Sequence, residues 1–139
     1  MEMLVWLLIE TENYNLAFTY TKAIEKQITG DGTKIFSLGQ LAHENSQYDA
    51  AIKCYQYLIA KKTIYAVSSK ILKLIATSEK TLDQDFSATD LQNLKSKYQD
   101  VFLELGENET TSYLLKEYAN LNAYYLQDLD LSKKISLIG

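Results

Sequence analysis

Proline is absent from this 139-residue sequence, and glycine occurs only five times, at positions 30, 32, 39, 106 and 139. These two residues are the strongest interruptions of a helix, so their scarcity leaves long spans free to be helical. One cysteine, Cys54, excludes a disulfide within the chain, although it fixes no compartment. One histidine, His43, beside one cysteine excludes a His/Cys zinc site built by this chain alone. No apolar run approaches the ~20 residues of a membrane span. The opening MEMLVWLLIE lacks a positive start and meets Glu10 at once, so it reads as one apolar helix rather than a signal peptide. No segment alternates with period two over strand length, and no sheet is expected. The net charge is −4 and the lysines are scattered among acids, so neither nucleic acid nor anionic lipid is an expected partner.

What the sequence does have is helical periodicity nearly throughout. Helices are expected over 2–11, 14–28, 33–45, 48–61, 64–80, 87–105, 110–126 and 129–138. Turn chemistry separates them: Glu12-Asn13, TGDG at 29–32, Asn45-Ser46-Gln47, Asp83-Gln84-Asp85, GENE at 106–109 and Gln127-Asp128. Ser87 followed by Asp90 is a weak capping box. Gly106, past the apolar end of its helix, suits a left-handed C′ residue.

The pattern also repeats. Tyr14-Asn-Leu-Ala17 recurs 34 residues on as Tyr48-Asp-Ala-Ala51, with Ile24 matched to Leu58 and Leu4 to Leu38. A helix–turn–helix unit of 34 residues is the period of the tetratricopeptide (TPR) repeat. The stretch IFSLGQLAHENSQYDAAIKCYQYLI, residues 35–59, resembles that family at Leu38, Gly39, Tyr48, Ala51 and Tyr55. Ala42 stands where the family often has tyrosine, and Thr63 where it often has proline. Gly39, Ala42 and Ala51 sit inside apolar stripes, where large side chains would bury more area. A close helix crossing explains them, because it offsets the ~1 kcal/mol that glycine costs in a helix interior.

The resemblance implies an all-α, right-handed α-solenoid of about four antiparallel hairpins, without a sheet. These lie at about 1–30, 31–63, 64–106 (irregular and longer) and 107–139, in a single repeat domain. Packing positions are Tyr14, Ala17, Leu38, Gly39, Ala42, Tyr48, Ala51, Tyr55 and Leu58. Neither end carries the polar cap that a solenoid needs, so the chain is expected to be a piece of a longer array. Residues 14–126, with YQDVFLELGEN and LLKEYANLNAYYLQ, resemble an internal segment of larger bacterial TPR proteins. Members of that family generally begin with an export signal, which implies an envelope location for the parent. The family pattern carries no catalytic activity.

Motifs for chemistry are weak. A Ser-His-Asp arrangement around His43 lacks any nucleophile elbow. Cys54 lies between packing positions and reads as a small core residue. DQDFSATDL at 83–91 offers Asp83, Asp85, Ser87 and Thr89 at alternating calcium-ligand positions. However, Ala88 replaces the required glycine, and Leu94 the bidentate glutamate. GDGTK at 30–34 lacks P-loop spacing and a preceding strand. The pair Glu107 and Glu109 sits in a polar turn with no pocket to perturb it. No metal or cofactor is expected, and no enzyme.

The TPR register turns first-helix positions toward a concave groove. Here these are Trp6 and Ile9, then Phe36, Gln40, His43 and Glu44, then Lys70, Leu74 and Thr77. Aromatic anchors mixed with polar groups suit a protein or peptide partner. The expected function is a non-catalytic scaffold for protein–protein interaction. The alternative is a set of architectural spacer repeats in a larger protein whose activity lies elsewhere. Apolar residues at both ends, among them Trp6 and Ile138, add an expectation of self-association through terminal helices.

Overall fold

The computed structural model describes residues 2–123, and among these every regular element is helical. The elements are α1 (Glu2–Glu10), α2 (Tyr14–Ile28), α3 (Thr33–Glu44), α4 (Tyr48–Ala60), α5 (Ala66–Leu82), α6 (Ala88–Leu105), a 3-10 turn at Glu109–Thr111 and α7 (Ser112–Leu121). The expected helix 129–138 and the end of 110–126 lie outside the described residues, as do Ile135, Leu137 and Ile138. The chain divides into two compact units, one ending at Thr77 and one beginning at Ser78, so that α5 carries the boundary. No helix among the described residues is long and apolar enough to cross a membrane.

In the first unit α1 packs on α2, α3 packs on α4, and α2 also meets α3 and α4. Helices α3 and α4 are antiparallel. The start of α3 at Gly32 lies against Leu58 near the end of α4, and Gly39 lies against Cys54 and Tyr55. The core comprises Tyr14, Ala17, Phe18, Ile35, Leu38, Ala42, Ala51, Cys54, Tyr55 and Leu58. Each of these helices thereby turns one apolar stripe inward. The matched pair Leu4 and Leu38 fare differently: Leu4 is 40% exposed and Leu38 only 4%. Leu38 is enclosed because its helix packs on both α2 and α4, whereas α1 packs chiefly on α2.

Four successive helices end in the same way. Glu12, Thr29, Ser46 and Lys62 have φ of 60°, 51°, 60° and 52°, the left-handed region. In each case the following amide donates to the carbonyl five residues back: Asn13 to Leu8 (2.7 Å), Gly30 to Glu25 (2.8 Å), Gln47 to Ala42 (2.8 Å) and Thr63 to Leu58 (3.3 Å). This is the Schellman ending, here built without glycine at its left-handed position. The steps between these residues are 17, 17 and 16, so every second ending recurs after 34 or 33 residues, close to the 34-residue recurrence in the sequence.

The glycines of TGDG do other work. Glu25, buried at 6% exposure, accepts the amide of Gly32 (3.2 Å) and that of Lys34 (2.7 Å). Its carboxylate therefore serves the start of α3, whose N-cap Gly32 offers no side chain. A Cβ on Gly30 would overlap Glu25 Oε2. Gly32 has φ of 99°, which favours glycine. Two hydroxyl contacts tie loops to helices: Asn45 Nδ2 donates to Tyr14 Oη at 2.8 Å, and Thr33 Oγ1 lies 2.7 Å from Tyr65 Oη.

The second unit is capped by side chains. The Ser87–Asp90 capping box is complete, with Asp90 N–H donating to Ser87 Oγ (3.2 Å) and Ser87 N–H to Asp90 Oδ2 (2.9 Å). Gly106 ends α6 at φ of 81°, donating to Phe102 O. Buried Thr111 donates to Gly106 O at 2.8 Å and accepts from Asn108 N–H at 3.0 Å. That knot starts α7 with a 3-10 turn instead of a clean helix over 110–126. Tyr98, Phe102 and Tyr118 form an aromatic cluster with centroids 5.6–6.4 Å apart. Burial pushes the Tyr98 hydroxyl above its ordinary pKa, and Glu117 adds to the shift.

Candidate functional site

The sequence-selected residues fall in three places. Trp6 and Ile9 line a half-open hollow of about 440 Å³ between α1, α2 and α3. Val5 joins them from α1, Thr21 and Ile24 line it from α2, and Thr33, Lys34, Ser37, Leu38 and Leu41 form the α3 wall. The lining is mainly apolar, and Thr21, Thr33, Lys34 and Ser37 are its polar members. Trp6 is 60% exposed, so its ring presents an open wall. Thr21 is buried at 3%, and no described group pairs with its hydroxyl. An unmet hydroxyl at an apolar hollow is a point where a ligand's polar atom would gain a partner.

Phe36, Gln40, His43 and Glu44 occupy a different arc of α3. Phe36 is half-buried, stacks on Tyr65 at 4.6 Å and 19°, and tilts against Tyr55 at 6.3 Å. His43 lies edge-on to Tyr48 at 6.0 Å. Gln40 and Glu44 are exposed. The structure therefore does not bring Phe36 and His43 into the hollow with Trp6. On α5, Leu74 is 4% exposed, Lys70 and Thr77 are half-buried, and the Thr77 hydroxyl donates to Lys73 O within the helix.

The packing positions are closely engaged. Tyr14, Ala17, Leu38, Gly39, Ala42, Ala51, Tyr55 and Leu58 are buried, and Tyr48 is half-buried. A Cβ on Gly39 would stand 2.9 Å from Tyr55 Cε1 and 3.0 Å from Cys54 Cβ. Cys54 is 1% exposed, and burial pushes its thiol up to about 12. A thiol so placed is protonated at neutral pH and is no nucleophile. In the turn at 83–91, Ser87 is committed to the helix cap. Among the described residues no three His, Cys, Asp or Glu side chains cluster as metal ligands would.

Two features escaped the sequence reading. One is Glu25, to which the sequence pattern assigned no role. Its signal lay in Gly30 and Gly32, whose missing side chains make room for the carboxylate and the turn. The other is a group of lysines seated on Phe18 and Tyr57. Its signal was the i, i+4 spacing of Phe18 with Lys22 and of Tyr57 with Lys61. No protein family, curated protein or solved structure matches this chain.

Proposed function

We propose that this chain is a TPR-like right-handed α-solenoid acting as a non-catalytic scaffold that holds a protein or peptide partner. Support for the architecture comes from the helix ending shared by Glu12, Thr29, Ser46 and Lys62 at near-equal steps. The close approach of α3 and α4 at Gly39 adds to it. The observation that carries the binding role is the hollow beside α1. It combines an exposed tryptophan, aliphatic walls and a few polar side chains, as recognition sites for anchoring side chains do.

A photo-crosslinking residue at Ser37, inside the hollow, tests this in living cells against the same residue at exposed Gln92. A discrete adduct from position 37 that disappears with Trp6→Ala supports the scaffold. Equal adducts from both positions, or none from position 37, favour the architectural reading. That second reading rests on Phe36 and His43, whose rings are already occupied by Tyr65, Tyr55 and Tyr48. Groove positions spent on internal packing are what spacer repeats would show.

A further inference from the structure

Helices α2 and α4 share a face that the hollow beside Trp6 does not use. Lys22 from α2 and Lys53 from α4 place their Nζ atoms 4.9 and 5.0 Å from the centre of the Phe18 ring. Lys22 and Lys61 both lie 5.8 Å from the centre of the Tyr57 ring. The two rings meet edge to face at 5.8 Å. Three ammonium groups are thus held on two rings. Past Lys61 the surface sinks into a hollow of about 580 Å³, where Lys26 and Lys62 flank Tyr57 and Ile64. Ile64 is 78% exposed.

The charges have a direction. Each ring contact contributes ~0.5–1 kcal/mol at an exposed site, which offsets the mutual repulsion of the ammonium groups without cancelling their charge. Two carboxylates line the hollow, and both are engaged locally. Glu25 turns inward to the amides of Gly32 and Lys34, and Asp31 accepts from the amide and hydroxyl of Thr33. The face therefore presents five lysines beside an open aliphatic side chain, in a protein whose net charge is −4.

We infer that this α2–α4 face docks an acidic peptide segment of a partner protein. Carboxylates lie on Lys22, Lys53 and Lys61, and an aliphatic side chain enters the hollow beside Tyr57 and Ile64. Seating the lysines on rings lowers the side-chain entropy lost on binding. A nucleic acid fits less well. Phe18 is only 5% exposed and its ring carries ammonium groups, so it is no platform for stacking bases. This face belongs to the second helices of the hairpins, so the inference does not depend on the groove at Trp6.

The test is fluorescence anisotropy with the full chain and three labelled probes. These are the peptide Asp-Glu-Leu-Asp-Glu-Leu-Asp-Glu, its Asn/Gln counterpart and a short oligouridylate. The acidic peptide should bind at least about tenfold more tightly than the neutral one, a difference of ~1.4 kcal/mol. Its affinity should fall as salt rises. Lys53→Gln with Lys61→Gln should weaken it about tenfold or more, while Lys95→Gln with Lys97→Gln on α6 should leave it unchanged. Helical circular dichroism confirms that each variant is folded. Equal binding of the neutral peptide, an equal loss in the α6 variant, tighter binding of the oligouridylate, or no acidic-peptide binding at millimolar concentration would each overturn the proposal.

Discussion

Replacing Gly30 by alanine should destabilise the first unit through one carboxylate. The new Cβ would overlap Glu25 Oε2 and stand 2.9 Å from its Cδ. The backbone of Gly30 is not in the left-handed region, so alanine itself is conformationally acceptable there. The carboxylate must move instead, and in moving it releases the amides of Gly32 and Lys34. A hydrogen bond to a charged group contributes ~1.5–3 kcal/mol. The Gly32 bond is long at 3.2 Å and the loop is near water, so the pair should be worth about 2–3 kcal/mol. In a Glu25→Ala background the alanine at position 30 loses that overlap and keeps only the flexible end of Ile28, at 3.4 Å. It should then be neutral, or stabilise by ~0.4–1 kcal/mol through the unfolded chain. The double-mutant cycle should therefore show a coupling of about 2 kcal/mol or more. Urea unfolding followed by the fluorescence of Trp6, the chain's one tryptophan and a member of this unit, reads it directly. Glu25→Gln, which keeps one acceptor oxygen, should fall between wild type and Glu25→Ala. If Gly30→Ala costs the same in both backgrounds, the glycine acts through its backbone and the carboxylate argument is wrong.

Other perturbations follow from the same geometry. Gly39→Ala should cost about 1–3 kcal/mol, because Cys54 and Tyr55 are fully buried and cannot yield to a new Cβ; an unchanged melting temperature would defeat the close-crossing assignment. Ser46→Gly and Lys62→Gly should each stabilise by about 0.5–1 kcal/mol, since the left-handed conformation costs ~1–2 kcal/mol and glycine's entropy returns only part of it. Cys54 should react with thiol reagents only at the rate of unfolding. Its folded thiol is pushed from 9.0 to about 12, so between those values the unfolded state holds fewer protons, and stability should fall as pH rises through that window. Helix α1 exposes Met3, Leu4, Trp6 and Leu7 on one arc, so light scattering across a dilution series should show self-association that Trp6→Glu with Leu7→Glu removes.

Much of the helical layout was legible because no proline interrupts it and the apolar period is strong. The bounds of α2 are those expected, and α3 and α4 each stop one residue early. Helix α5 starts later than expected, at Ala66 and not at residue 64. Thr63 Oγ1 accepts the amide of Tyr65 there, holding Ile64 and Tyr65 in a turn. Short polar side chains compete for backbone groups in this way, and apolar periodicity carries no trace of it. The helix endings were less legible. Left-handed residues are usually announced by glycine, yet glutamate, threonine, serine and lysine fill these positions. Their regular spacing appears only once the backbone is seen.

The candidate sites divide along the same line. Trp6 and Ile9 could be picked out because an aromatic at a first-helix position is visible in one segment alone. The rest of their hollow could not. Thr21, Ile24, Lys34 and Ser37 meet only because α2 and α3 pack at one particular rotation. A period of 3.6 fixes the apolar arc of a helix but not which neighbour covers each edge. Lys34 and Ser37 flank one edge of the α3 stripe, and Phe36 and His43 the other, so periodicity leaves both edges equivalent. Contacts with Tyr65 and Tyr48 give Phe36 and His43 to internal packing, while the Ser37 edge lines the hollow with Trp6. The lysine face obeys the same logic. Lys22 with Phe18, and Lys61 with Tyr57, are local pairs that the sequence already contains. Only the packing of α2 on α4 joins them, adds Lys53 to the Phe18 ring, and turns two ordinary i, i+4 contacts into one shared cationic surface.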